Sequence, residues 1–219
     1  MRLLLTLALA TSGAAFATPT PKAPQQKLFK VTVQNLTKGQ PITPPVVAVH
    51  APQKTFVKLG EAPSAGLSAL AKDGVTSALE KELKYERYVV RSSTGKGVIL
   101  PGKKDEIMIE ANHPKFQLTV VGMLARTNDA ITVAKNLTLP LITGMKAVYY
   151  AHTYDAGAEL NTELCSDIPA PPCESPMQGP SEGEGFIRPH EGITYVGDLT
   201  GKRDAFSGVS AKITVERIQ

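Results

Sequence analysis

Ala211-Lys212-Ile213-Thr214-Val215-Glu216-Arg217-Ile218, near the carboxyl end of the 219-residue chain, changes character at every step. Ala211, Ile213, Val215 and Arg217 face one way, and Lys212, Thr214, Glu216 and Ile218 the other. A period of two among β-branched residues marks a strand with one face turned to a core. The same pattern begins at Lys27, where Leu28, Val31 and Val33 stand among Phe29, Lys30, Thr32 and Gln34. Shorter strands are predicted at 46–49 behind Pro44-Pro45, at 88–90, at 98–100 before the Pro101-Gly102 turn, and at 106–110. Residues 116–124 form a long apolar run expected to be central. Strands are also expected at 137–141, broken by Pro140, at 147–150 and at 193–196. Regular spacing with turn residues between the runs predicts an all-β antiparallel β-sandwich.

One stretch has a helical period. Ser64 caps a first segment with Leu67, Leu70 and Ala71 on one face. Asp73-Gly74 then separates it from a second, where Ser77 and Glu80 match a capping box ahead of Leu83. Two short helices packed on the end of the sheet, or a lid, are expected. Residues 161–192 hold six prolines and read as a long loop, functional or cross-braced.

The amino end is of another kind. Met1-Arg2, an apolar run at 3–9 and small residues ending Ala15-Phe16-Ala17 predict a signal peptide over 1–17. The run is shorter than the roughly 20 residues that span a bilayer, and Thr18-Pro19-Thr20-Pro21 would break any helix continuing from it. Residues 18–26 are read as a flexible leader and 27–219 as one domain, secreted or periplasmic. Losing 1–17 removes Arg2 alone and lowers the net charge from +4 to +3. Basic residues are scattered, Trp is absent, and no basic stripe interleaves with aromatics, so nucleic-acid binding is not expected. Cys165 and Cys173 are the only cysteines. In an exported chain they predict a disulfide that pins an irregular loop; two free thiols or a two-cysteine metal site are the alternatives.

The acidic turns carry the chemistry. Asp129 follows the long strand, and Asp155 and Glu159 stand in Asp155-Ala156-Gly157-Ala158-Glu159 after another. Strand ends of a sandwich converge, and like charges brought together repel unless a cation bridges them. Calcium suits such a set because it takes about six to eight oxygens in flexible geometry. Gly157 allows the tight turn, and Asn128 and Asn161 offer amide oxygens. Spacing alone favours ordinary solvated turn acids over a metal site.

The chain resembles the spondin domain family, in its stand-alone bacterial-type form, from about residue 27 to 218. The motifs are Asn35-Leu36-Thr37 with Gly39-Gln40-Pro41 and Thr43-Pro44-Pro45, Ala48-Val49-His50, Gly60-Glu61-Ala62, Thr127-Asn128-Asp129-Ala130, Tyr154-Asp155-Ala156-Gly157-Ala158-Glu159, and Gly185-Phe186-Ile187 near His190. The resemblance implies a C2-like sandwich with a calcium site at one end, whose ligands would be Asp129, Asp155 and Glu159. Ala158 stands where the family usually has Thr, and Glu159 where a shorter Asp is found. A non-catalytic adhesion or binding role, toward an extracellular or envelope protein or glycan, follows by analogy.

Rival readings use the same residues. His50, His152 and His190 are a candidate zinc set, without an H-E-x-x-H pairing. A metal-dependent exported hydrolase is the alternative function, although no G-x-S-x-G elbow is present. Asn35-Leu36-Thr37 and Asn136-Leu137-Thr138 are formal glycosylation sequons. Membrane contact through the acidic loops is not expected, since Arg126 and Ile131 are their only basic or apolar neighbours.

Overall fold

In the computed structural model, which describes residues 26–175 and 182–219, the run from Val46 to His50 explains how the sheet is covered. All five residues are buried. Val47 and Val49 point into one apolar cluster, and Val46 and Ala48 into another. A strand covered on both faces reads as an uninterrupted apolar run.

The elements are β1 (Lys27–Asn35), β2 (Val46–His50), α1 (Ala65–Asp73), α2 (Thr76–Tyr85), β3 (Val89–Thr94), β4 (Lys104–Ala111), β5 (Gln117–Met123), β6 (Ala130–Thr138), β7 (Lys146–Asp155), a 3-10 turn (Cys165–Asp167), β8 (Arg188–Pro189) and β9 (Val209–Arg217). The strands follow the order β3-β2-β5-β6-β7-β9-β1-β4, with β8 added to β7. Every pairing is antiparallel. The class is all-β, as expected, with β5 inside the sheet between β2 and β6. The sheet curls until its end strands lie side by side. Side chains join them there: Arg91 to Glu110 at 3.1 Å, and the Lys96 N–H to Asp105 Oδ2 at 2.7 Å.

The inner cluster gathers Phe29, Val31 and Val33 of β1 and Ile213 and Val215 of β9, with Ile107, Ile109, Leu118 and Val120. The alternation read at residues 211–218 therefore turns the expected face inward. The second cluster lies on the outer face, where Leu67, Leu70, Leu79 and Leu83 cover Val46, Ala48, Val121, Ile131 and Val133. The helices thus sit on the face of β2, β5 and β6 rather than at an end of the sheet. Ser64 caps α1 by accepting from the Leu67 N–H at 3.1 Å. Gly74 closes it at φ 68°, a left-handed conformation that favours glycine.

Several expectations are corrected. Ser77 and Glu80 form no capping box: α2 starts after Val75 without a side-chain cap, and the Glu80 carboxylate accepts from the Thr94 hydroxyl. β3 runs on through Thr94. β6 begins at Ala130, seven residues earlier than expected; residues 130–134 are all buried, so no alternation marks them as strand. β7 continues to Asp155. Residues 98–100 contribute one bridge, Ile42 to Ile99, with Val98 and Leu100 exposed. Residues 193–196 are not a strand, because the Thr194 and Tyr195 N–H groups donate to the Glu163 carboxylate instead of to a ladder. The expected signal peptide, and the leader up to residue 25, lie outside the described residues. No described helix is long and apolar enough to cross a membrane.

Candidate metal centre

Two turns and a strap meet where β5 and β7 end and β6 begins. The β5–β6 turn is fixed by Thr127, whose hydroxyl donates to the Leu124 carbonyl at 2.7 Å and accepts from the Ala130 N–H at 3.0 Å. Gln40 braces the same turn by bonding both the N–H and the carbonyl of Arg126. The ladder then sets Ala130 opposite Asp155, so that Asp129 faces the turn after β7. Asp129 Oδ2 accepts from the Ala158 N–H at 2.6 Å and the Glu159 N–H at 3.0 Å. Asp155 Oδ1 accepts from the Gly157 N–H at 2.7 Å, and Gly157 takes φ 67°, the tight turn foreseen for it.

The strap, residues 182–189, lies directly on that turn. A Cβ on Gly157 would stand 2.3 Å from the Phe186 carbonyl oxygen, and one on Gly183 would stand 2.4 Å from the Gly157 oxygen. Both positions therefore require glycine. The strap brings in Glu184 and Arg188, neither of which the sequence marked as functional. β8 pairs Arg188 with Asp155. The Arg188 guanidinium then meets Asp155 Oδ2 at 2.8 Å and Glu184 Oε1 at 3.0 Å. Asn161 Nδ2 donates to Asp155 Oδ2 at 2.6 Å and to Glu184 Oε1 at 3.4 Å.

Asp129 and Asp155 are brought together with full burial. Burial, reinforced by the Asp155 charge, pushes the Asp129 carboxyl up to about 7, against the pull of the two backbone N–H groups. Glu159 joins them through its backbone, but its side chain turns to α1, where Lys72 Nζ lies 3.4 Å from Oε1 outside hydrogen-bond geometry. Burial raises Glu159 to about 7 as well, opposed by Lys72.

Buried side-chain oxygens rarely go unpaired. Among the described residues the unpaired ones are Asp129 Oδ1, both Glu159 carboxylate oxygens, Glu184 Oε2 and Asn136 Oδ1. Asp129 Oδ1 and Glu184 Oε2 belong to this centre, whereas the Glu159 oxygens face Lys72. Once Asp129 ionises, it leaves two negative charges in excess with Asp155 and Glu184 against Arg188. All-oxygen donors suit a hard divalent cation. No three acidic, histidine or cysteine side chains among the described residues stand close enough together to hold a metal as arranged. The chemistry fits an ion, but the acids would have to close on it.

The other candidates have structural partners. Asn128 Oδ1 accepts from the Glu163 N–H at 3.1 Å, and its Nδ2 donates to the Thr162 hydroxyl. His50 is buried, with Nε2 2.8 Å from the Thr119 hydroxyl and Nδ1 2.9 Å from the Ala51 carbonyl; His152 is exposed, and His190 packs edge-on against Phe206. Arg126 bonds the Pro171 and Gly39 carbonyls, and Ile131 is buried rather than at a loop tip. Cys165 and Cys173 form the expected disulfide. The Asn35 sequon is closed to modification in the folded chain: Asn35 is fully buried and its Nδ2 donates to the Gln40 and Ile99 carbonyls. No protein-family model and no curated protein matches the chain.

Proposed function

We propose that this is an exported, non-catalytic binding module of the spondin-like kind, with a C2-like sandwich fold, whose acidic end takes a calcium ion. The observation that carries the reading is the pair of unpaired, buried carboxylate oxygens on Asp129 and Glu184 beside Asp155, with two negative charges in excess once Asp129 ionises. Burying such charges without partners costs the folded chain several kcal/mol. A proton on Asp129 or a divalent cation relieves that cost, and outside the cytoplasm calcium is the common hard divalent ion.

In this reading Asp129, Asp155 and Glu184 hold the ion. Glu159 helps to orient Asp129 through its backbone N–H and keeps Lys72 on its own carboxylate. The ion supplies positive charge that ties the β5–β6 turn, the β7 turn and the strap into one rigid end. Such an end presents loops to an extracellular or envelope protein or glycan. The disulfide between Cys165 and Cys173 supports an oxidising compartment.

Calorimetric melting of the calcium-stripped protein, with and without added calcium, tests the proposal. Saturation at about a hundred times Kd should stabilise the fold by roughly 2.7 kcal/mol, with no turnover on glycan or ester panels. An unchanged melting temperature at millimolar calcium would remove the ion, and turnover that chelation abolishes would favour the hydrolase.

A further inference from the structure

Arg188 occupies the place where an ion would have to act. One nitrogen of its guanidinium, Nη2, lies 2.8 Å from Asp155 Oδ2 and 3.0 Å from Glu184 Oε1. The oxygens left over, Asp129 Oδ1 and Glu184 Oε2, have no partner. Asp155 and Glu184 are therefore both drawn to a single cationic nitrogen, the position a bound cation would contest. The Asp129 and Asp155 carboxylates cannot leave, since both residues are fully buried. The Arg188 side chain is 29% exposed, so its head can swing into water on its flexible stem.

We infer that Arg188 is the resident counter-ion of this centre: it neutralises Asp155 and Glu184 in the calcium-free protein, competes with the ion for them, and so sets how tightly calcium binds. The inference rests on the calcium reading above. It gives Arg188 two opposed effects. Its positive charge lowers the attraction of the cluster for a second cation at close range. Its two ion pairs also stabilise the strap when no ion is bound. A residue that only positioned the acids for the metal would have the opposite effect on affinity.

The test is calorimetric titration of calcium into the mature protein, its Arg188→Gln and Arg188→Lys variants, and Asp129→Asn as a site-deleted control. Competition predicts that Arg188→Gln binds calcium about tenfold more tightly or better and melts lower in calcium-stripped buffer. Arg188→Lys, which keeps the charge and offers one cationic nitrogen to the same acids, should stay closer to the parent than Arg188→Gln does. In the labelled parent, the Arg188 Nε–H resonance should shift in step with calcium occupancy, a readout that needs no variant. A parent that binds calcium while the Arg188 variants bind it equally or more weakly overturns the inference and leaves the calcium reading standing. Absence of binding in both the parent and folded Arg188→Gln overturns both.

Discussion

Replacing Asp129 with Asn separates the cost of a buried charge from the benefit of the metal that charge attracts. The amide keeps an oxygen where Oδ2 accepts from the Ala158 and Glu159 N–H groups, and it puts an NH2 where Oδ1 now has no partner. Only the charge is lost. In the folded protein the Asp129 carboxyl stands at about 7 against an ordinary 3.8. That shift of about three pH units corresponds to about 4 kcal/mol. Because the folded value is the higher one, the associated stability is fully present below pH 4 and is lost as pH rises to about 7. Without calcium, Asp129→Asn should therefore match the parent near pH 4 and exceed it by up to about 4 kcal/mol at pH 8. With calcium near a hundred times Kd, the parent regains about 2.7 kcal/mol and the variant gains nothing. Urea unfolding from pH 4 to 8, in calcium-stripped and calcium-containing buffer, measures both. A variant less stable than the parent at pH 8 without calcium, or a difference that does not vary with pH, refutes the reasoning.

Three further outcomes follow from the geometry. Gly157→Ala adds a Cβ 2.3 Å from the Phe186 oxygen at a positive φ, so it should lower stability by at least about 1–3 kcal/mol and weaken calcium binding, both read by thermal melts with and without the ion. Leu70→Ala, at a fully buried position between α1 and the outer face of the sheet, should cost about 2–5 kcal/mol in denaturant melts. A Cys165→Ser/Cys173→Ser double variant opens a loop of sequence separation 8; a loss of about 2–3 kcal/mol is expected, with calcium affinity retained, since the pair lies outside the acidic cluster.

What the sequence made legible was local. A two-residue period showed the strands with one polar face, such as β1 and β9, and Ser64 and Gly74 marked the ends of α1. The start of β6 was hidden because burial on both faces removes the alternation. At residues 193–196 an apolar pattern imitated a strand, but the distant Glu163 carboxylate takes the backbone N–H groups that a ladder would use. The site divided in the same way. Asp129, Asp155 and the turn at Gly157 could be read from two short motifs, because each is held by neighbours in the sequence or by the β6–β7 register. Glu184 and Arg188 could not, because they reach the cluster only when the strap folds back on Gly157. The glycine at 183 and the charges at 184 and 188 were the available signal, and nothing local distinguished them from an ordinary polar loop. The direction of Glu159 depended on Lys72 of α1, a contact across 87 residues that no motif encodes.

The most direct measurement is anomalous scattering from crystals of the protein grown in millimolar calcium. One ion is expected, with oxygens of Asp129, Asp155 and Glu184 about 2.3–2.6 Å away, and the Arg188 guanidinium moved off Asp155. A cluster without an anomalous peak, where Arg188 still bridges Asp155 and Glu184, would contradict that expectation.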